Sequence, residues 1–208
     1  TVAATGGAAD HSYGIYTGGS LAISGGGKVT ATGGEVSGEY AYSCGIYVEE
    51  DAAISGGTVN ATGGPATGSY AGSCGIDADN VIVSGGTVNA DGGTASATGN
   101  VSYAYSCGIY VTRETLAISG GIVNADGGTA TGSYAESCGI DATNGLTISG
   151  GEVTAEGATQ AVRSFTGTVT VDPAEGQQIA VRAGTDESSA QEIANLSFPD
   201  NAEISDSI

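Results

Sequence analysis

The sequence predicts an all-β chain wound as a right-handed, single-stranded parallel β-helix: a solenoid of six or seven coils, each of roughly 30 residues and three short strands. Three observations carry the prediction. A pentapeptide recurs as SYGIY at Ser12, SCGIY at Ser43, SCGID at Ser73, SCGIY at Ser106 and SCGID at Ser137, at spacings of 31, 30, 33 and 31 residues. ISGG or VSGG follows at Ile23, Ile54, Val83, Ile118 and Ile148, and then KVTATGG, TVNATGG, TVNADGG, IVNADGG or EVTAEGA. Glycine fills 38 of 208 positions and collects between these segments. Self-similarity at a period of 20–50 residues is read before local propensity, because it marks stacked repeats.

Each segment alternates with period two, so its branched residues share one face. In the first strand Ile15, Ile46, Ile76, Ile109 and Ile140 occupy one position. In the second it is Ile23, Ile54, Val83, Ile118 and Ile148. In the third it is Val29, Val59, Val88, Val123 and Val153. Stacking coils about 4.8 Å apart turns each set into an interior ladder. One repeat cannot bury its apolar face alone, but neighbours bury it together. Each fully buried aliphatic side chain contributes roughly 1.5–3 kcal/mol. Gly-Gly corners suit tight bends, since glycine reaches positive φ. The same glycines interrupt any helix too often for a helical repeat, and a propeller blade would need four strands and hairpins per period.

Five clear repeats are expected over residues 12–159 within a β-helix of residues 1–183. TVAATGG matches the third segment of an earlier coil, so the chain is expected to begin in mid-coil and to continue into further domains of the same polypeptide. After Gly157 the register degrades: Gln160–Ser164 stands in for the SCGIY block, and FTGTVTV and QQIAVRAG follow. Residues 184–208 change composition. They are expected to be a capping or linker segment, with a short helix over Glu187–Asn195 started by Thr185 or Asp186.

Charge excludes several partners. There are 23 acidic and 4 basic residues, a formal net charge of −19. Lys28, Arg113, Arg163 and Arg182 cannot neutralise a track of phosphates, so no nucleic-acid partner is expected. No apolar run approaches the roughly 20 residues that span a bilayer, so no membrane insertion is expected. Such a chain favours cationic partners or metal ions.

Parity with the isoleucine two residues on places Cys44, Cys74, Cys107 and Cys138 in an inward row. Their spacing is not a zinc pattern. Small buried thiols filling a ladder and disulfides between rungs both remain open, while a catalytic thiol is disfavoured with one His in the chain. One residue after each isoleucine, Tyr16, Tyr47, Asp77, Tyr110 and Asp141 are expected to form an exterior row. Aromatic rings beside carboxylates and hydroxyls suit a saccharide, whose apolar face meets the ring while its hydroxyls meet the polar groups. Upstream, Tyr40, Tyr70, Tyr103 and Tyr134 form a second row, read first as rings that close a corner and stabilise each other by packing, with saccharide contact as the alternative. A third position holds His11, Tyr42, Gly72, Tyr105 and Glu136. Oxygen ligands for calcium are sought in Asp91, Asp126 and Glu156 of the third strand and in Asp79, which forms a DxD with Asp77; a solvated acidic face is the alternative. Ala22, Ala53, Ile82, Ala117 and Thr147 line a flat exterior on the second strand.

The blocks ISGGTVNATGG, VSGGTVNADGG and ISGGIVNADGG, with SCGIY or SCGID between them, resemble glycine-rich right-handed β-helix surface proteins of anaerobic Gram-positive bacteria, a family of carbohydrate-binding proteins and adhesins. The resemblance covers residues 1 to about 183. It implies secretion or cell-wall attachment, and one branch of the family is similar to a calcium-bearing polygalacturonate binder. The expected function is therefore a non-catalytic extracellular module that binds a polysaccharide or host glycan, with Ca2+ as the one candidate cofactor. The alternatives are a structural spacer or assembly module of a larger surface protein, and a polysaccharide lyase or hydrolase. A lyase would need a cationic base, yet Lys28 and Arg113 stand far apart in the repeats. A glycosidase would need two carboxylates about 5–9.5 Å apart across a cleft.

Overall fold

Branched residues every second position, with glycine at every bend, leave the chain one economical arrangement: short strands that pair only with their equivalents one coil away. The computed structural model has this form. It describes residues 1–172, and beyond them the backbone of Ala180–Ala183, Leu196–Ser197 and Glu203–Ile204. Every strand pair among the described residues is parallel. Ile15, Ile46, Ile76, Ile109 and Ile140 are successive register partners. Val29, Val59, Val88, Val123 and Val153 are likewise partners along the third strand. From Ile46 onward these ladders are completely enclosed and form one core with Leu116 and Leu146.

Two expectations need correction. The stack makes about five complete turns rather than six or seven, because the coils at its two ends are partial. Each coil also holds a fourth strand. Val36–Ser37, Ala66–Gly68, Thr94–Ala97 and Thr129–Thr131 form their own four-stranded parallel sheet. Its inward residues Val36, Ala66 and Ala95 pack with Ala41, Ala71 and Ala104 in a second, smaller core. Alanine-width packing lets this face lie close to the next, and its short strands read as corner in the sequence. Of segment 184–208 only the two short strands are described, each continuing a face of the stack. The helix expected over Glu187–Asn195 lies outside the described residues.

The corner between second and third strands depends on backbone handedness. Gly57, Gly86, Gly121 and Gly151 have φ of +80°, +86°, +88° and +90°, a region closed to most L side chains. Polar ladders run beside the apolar ones. Asn89 donates to Asn60 Oδ1 and Asn124 to Asn89 Oδ1, both at 2.8 Å. Inside, repeated serines link two coils: Ser73 Oγ donates to Gly64 O at 2.8 Å and accepts from Gly93 N at 2.9 Å. Ser43 makes the equivalent pair with Gly34 O and Gly64 N. These contacts satisfy glycine-corner groups that no strand partner reaches.

Candidate functional site

The cysteine row is the first departure from simple alternation. Cys44, Cys74, Cys107 and Cys138 are in register, buried and free. They do not join the isoleucine core, and instead form a separate cluster covered by Tyr13, Tyr42, Tyr47, Tyr105 and Tyr110. The preceding serine is inside, and so is the following glycine: a Cβ on Gly108 would lie 2.7 Å from Ala90 O and Asp126 N. Glycine and isoleucine thus face inward in succession. The alternation slips at the corner, and the cysteines turn to the outer side beneath a tyrosine roof. This corrects their inward placement. Burial pushes the Cys44 thiol well up, and hydrogen bonds with Cys138 and Cys74, then burial, push Cys107 well up. Cys74 and Cys138 shift down, because hydrogen bonds outweigh burial at both, so it is the tyrosine cover that shields all four. None of the four is expected to react with an aromatic disulfide reagent in the native protein, whereas all should react after denaturation; prompt native reaction would contradict the roof.

Tyr16, Tyr47, Asp77, Tyr110 and Asp141 do stand in one row, but it is not an open face. Tyr16 is 56% exposed, Tyr47 and Tyr110 are half-buried, and Asp77 and Asp141 are 4% and 0% exposed. The neighbouring row closes over them. Tyr42 and Tyr105 converge across Gly72, where a Cβ would come within 2.5 Å of both rings, and their centroids are 5.8 Å apart. The Tyr42 hydroxyl donates to Asp77 and lies 3.4 Å from Cys74 Sγ. Burial pushes the Asp77 carboxyl well above the ordinary carboxylate range. Tyr16 donates to Glu49 Oε1 at 2.6 Å.

The candidate calcium ligands divide. Asp91, Asp126 and Glu156 are register partners on the third strand; burial, then the Asp126 charge, raises the Asp91 carboxyl. Asp79 is not with them. It accepts from Thr112 Oγ1 at 2.8 Å and pairs with Arg113 at 3.4 Å. Among the described residues no three of His, Cys, Asp and Glu converge in a way that could hold a metal ion.

The exposed aromatic surface is the row read as a corner. Tyr40, Tyr70, Tyr103 and Tyr134 stack face to face, with centroids 5.0, 5.3 and 4.8 Å apart and interplanar angles of 8°, 6° and 13°. Exposure is 43% and 42% for the two middle rings, and 58% and 57% for Tyr40 and Tyr134. The middle rings therefore show their edges and hydroxyls, while each end ring keeps one face without a ring neighbour.

Tyr134 borders a cavity of about 290 Å³, lined also by Tyr103, Ala104, Tyr105, Tyr110, Glu136, Asp141, Arg163 and Phe165. A shallower depression of about 490 Å³ adjoins it through Glu136, Arg163 and Phe165. Arg163 is the register partner of Asp141, so it occupies the next position of the Tyr/Asp row. Its guanidinium pairs with Asp141 and with Glu136 Oε2, the latter at 2.5 Å. It also lies 4.4 Å over the Phe165 ring, which is 64% exposed. Burial raises the Asp141 carboxyl despite the Arg163 contact. Asp141 Oδ1 and Arg163 Nε are buried beneath the cavity without a hydrogen-bond partner.

The cavity is not legible as a site in the sequence, because Tyr103, Tyr134, Glu136, Tyr110 and Asp141 belong to three different rows. Arg163 and Phe165 lie where the repeat degrades. The available signal was the alignment of QAVR with CGID, which places Arg163 beside Asp141.

A family model described as a β-helix repeat matches residues 21–46, 53–76 and 146–161. Comparison with curated proteins and with solved structures gives no match. Together with the stacked, in-register coils, the repeat match supports one conclusion: the chain is a parallel β-helix protein.

Proposed function

We propose that this β-helix is a non-catalytic binding module of an extracellular bacterial surface, and that it takes a glycan at the cavity between Tyr134 and Phe165. The observation that carries this reading is the cavity's composition: two exposed rings beside a floor of Arg163, Asp141 and Glu136. A sugar ring presents an apolar face to an aromatic one, and its hydroxyls both donate and accept. The floor offers both roles, through the Arg163 guanidinium and the half-exposed Glu136 carboxylate. The Arg163 charge is offset by two carboxylates, so a neutral sugar fits better than an acidic one.

The test is a glycan array, followed by calorimetric titration of the best ligand, run with calcium and with chelator. Tyr134→Ala combined with Phe165→Ala should weaken binding about tenfold or more, since a stacking ring contributes on the order of 1 kcal/mol. The melting temperature should fall by only a few degrees, because both rings are largely exposed and the losses are one ring stack and one cation–π contact. Absence of any glycan hit would sink the reading and leave the rigid-spacer alternative, which the uninterrupted interior ladders also suit. Loss of binding in chelator would bring the Asp91, Asp126 and Glu156 row into the mechanism. New reducing ends or unsaturated products from the bound polysaccharide would overturn the non-catalytic assignment.

A further inference from the structure

Resting on the glycan reading above, we infer that the ligand is a neutral polysaccharide in an extended, equatorially linked form, such as a β-1,4-linked hexose or pentose chain, lying parallel to the solenoid axis along the tyrosine ladder. The ladder sets a repeat. Its rings follow one another at 5.0, 5.3 and 4.8 Å, the rung spacing of the β-structure itself. An extended β-1,4-linked chain advances by nearly the same distance per sugar. One phenol hydroxyl then meets one sugar residue on each successive rung, without either partner distorting. An α-1,4-linked chain coils and drifts out of step after one or two residues.

Geometry also separates two kinds of contact along this line. The middle rings, Tyr70 and Tyr103, are sandwiched, so they offer hydroxyl edges and no free face. They suit the hydroxyls along one edge of a chain whose successive sugars turn over, so that each phenol, as donor or acceptor, meets an alternating set. Tyr134 has a face without a ring neighbour and borders the cavity, which suits a sugar seated at the end of the run. Charge decides against an acidic chain. The protein carries a net charge of −19, and among the described residues the cation nearest this surface, Arg163, is already held by Glu136 and Asp141.

Titration calorimetry with cello- or xylo-oligosaccharides of one to six residues, against malto-oligosaccharides of the same lengths, tests the match. Affinity should climb with length to about four residues, one per ring, then level off, and the β-linked series should exceed the α-linked one about tenfold or more. Tyr70→Phe combined with Tyr103→Phe keeps the stacked rings, so the fold is preserved. It should cost ligands of four or more residues about tenfold, for two lost hydrogen bonds, and leave the monosaccharide, seated against Tyr134, unchanged. A hexamer that binds no tighter than a dimer, or α-linked chains that bind equally well, would overturn the axial ladder while leaving the cavity reading intact. Failure of every neutral glycan to bind would overturn both.

Discussion

Gly108→Ala is expected to lower the melting temperature by about 10 °C, a large effect for a single methyl group. A Cβ at Gly108 would sit 2.7 Å from Ala90 O, Asp126 N and Gly139 O. All three are backbone atoms, two on the third strand across the coil and one on the next rung. None can rotate away as a side chain would, so the coil itself must widen. Overpacking commonly costs about 1–3 kcal/mol and more where nothing yields; roughly 3 kcal/mol corresponds to that shift for a chain of this size. Gly45, Gly75 and Gly139 meet the same backbone walls and should respond alike. Gly26→Ala is the control. A Cβ there meets nothing within 4 Å, and the change should stay within about 0.5 kcal/mol. Thermal unfolding followed by far-ultraviolet circular dichroism reads both, and equal melting temperatures for Gly108→Ala and wild type would refute the inward corner.

Asp77→Asn should stabilise the protein at neutral pH. Asp77 is 4% exposed. Its side-chain hydrogen bond comes from the Tyr42 hydroxyl, with Cys74 and Asp79 as further neighbours and no cation beside it. Its folded-state pKa lies well above the unfolded value of about 3.9. The protonated carboxyl is therefore the form the fold prefers. That contribution is complete below the unfolded pKa and is lost as pH rises through the folded one. An amide accepts the same Tyr42 hydrogen bond and never ionises. The variant should gain about 2 kcal/mol at pH 8, or about 4–8 °C, and the gain should vanish near pH 4. Following the difference between variant and wild type across pH cancels the repulsion among the other acids. A difference that is flat with pH, or that grows toward acid, would show that Asp77 is ionised and solvated.

Most of the stacking was legible because the repeat writes it out. Residues some thirty positions apart carry the same side chain, and only coil-on-coil pairing makes such residues neighbours. Ile46, Ile76 and Ile109 meet for this reason. The fourth strand escaped notice because its inward residues, such as Ala66 and Ala95, are small and lie between glycines, where period two has too few positions to register. Cys44 lies on the outer side, against simple alternation, because Gly45 and Ile46 both face inward. Glycine has no side chain to mark its own direction, so a corner that turns two successive residues inward is invisible in the letters.

The candidate site was less legible, for a related reason. Tyr40 and Tyr70 could be aligned from sequence, but whether their rings or those of the Tyr47 row reached solvent depended on how side chains lean. Tyr42 and Tyr105 lean across the small gap at Gly72 and bury Asp77, which moves the exposed aromatic surface one row over. Arg163 and Phe165 lie where the repeated words fail, so their position emerged only once the next coil had been laid against Asp141.

The amino-acid order alone thus determined that the chain stacks in parallel coils, and which residues become vertical neighbours, because identity repeated at a fixed interval is a direct record of register. Only the tertiary structure decided which rows face outward and where the surface opens into a cavity. Those depend on bends at glycine and on bulky rings competing for the same space, and neither is local to any stretch of sequence.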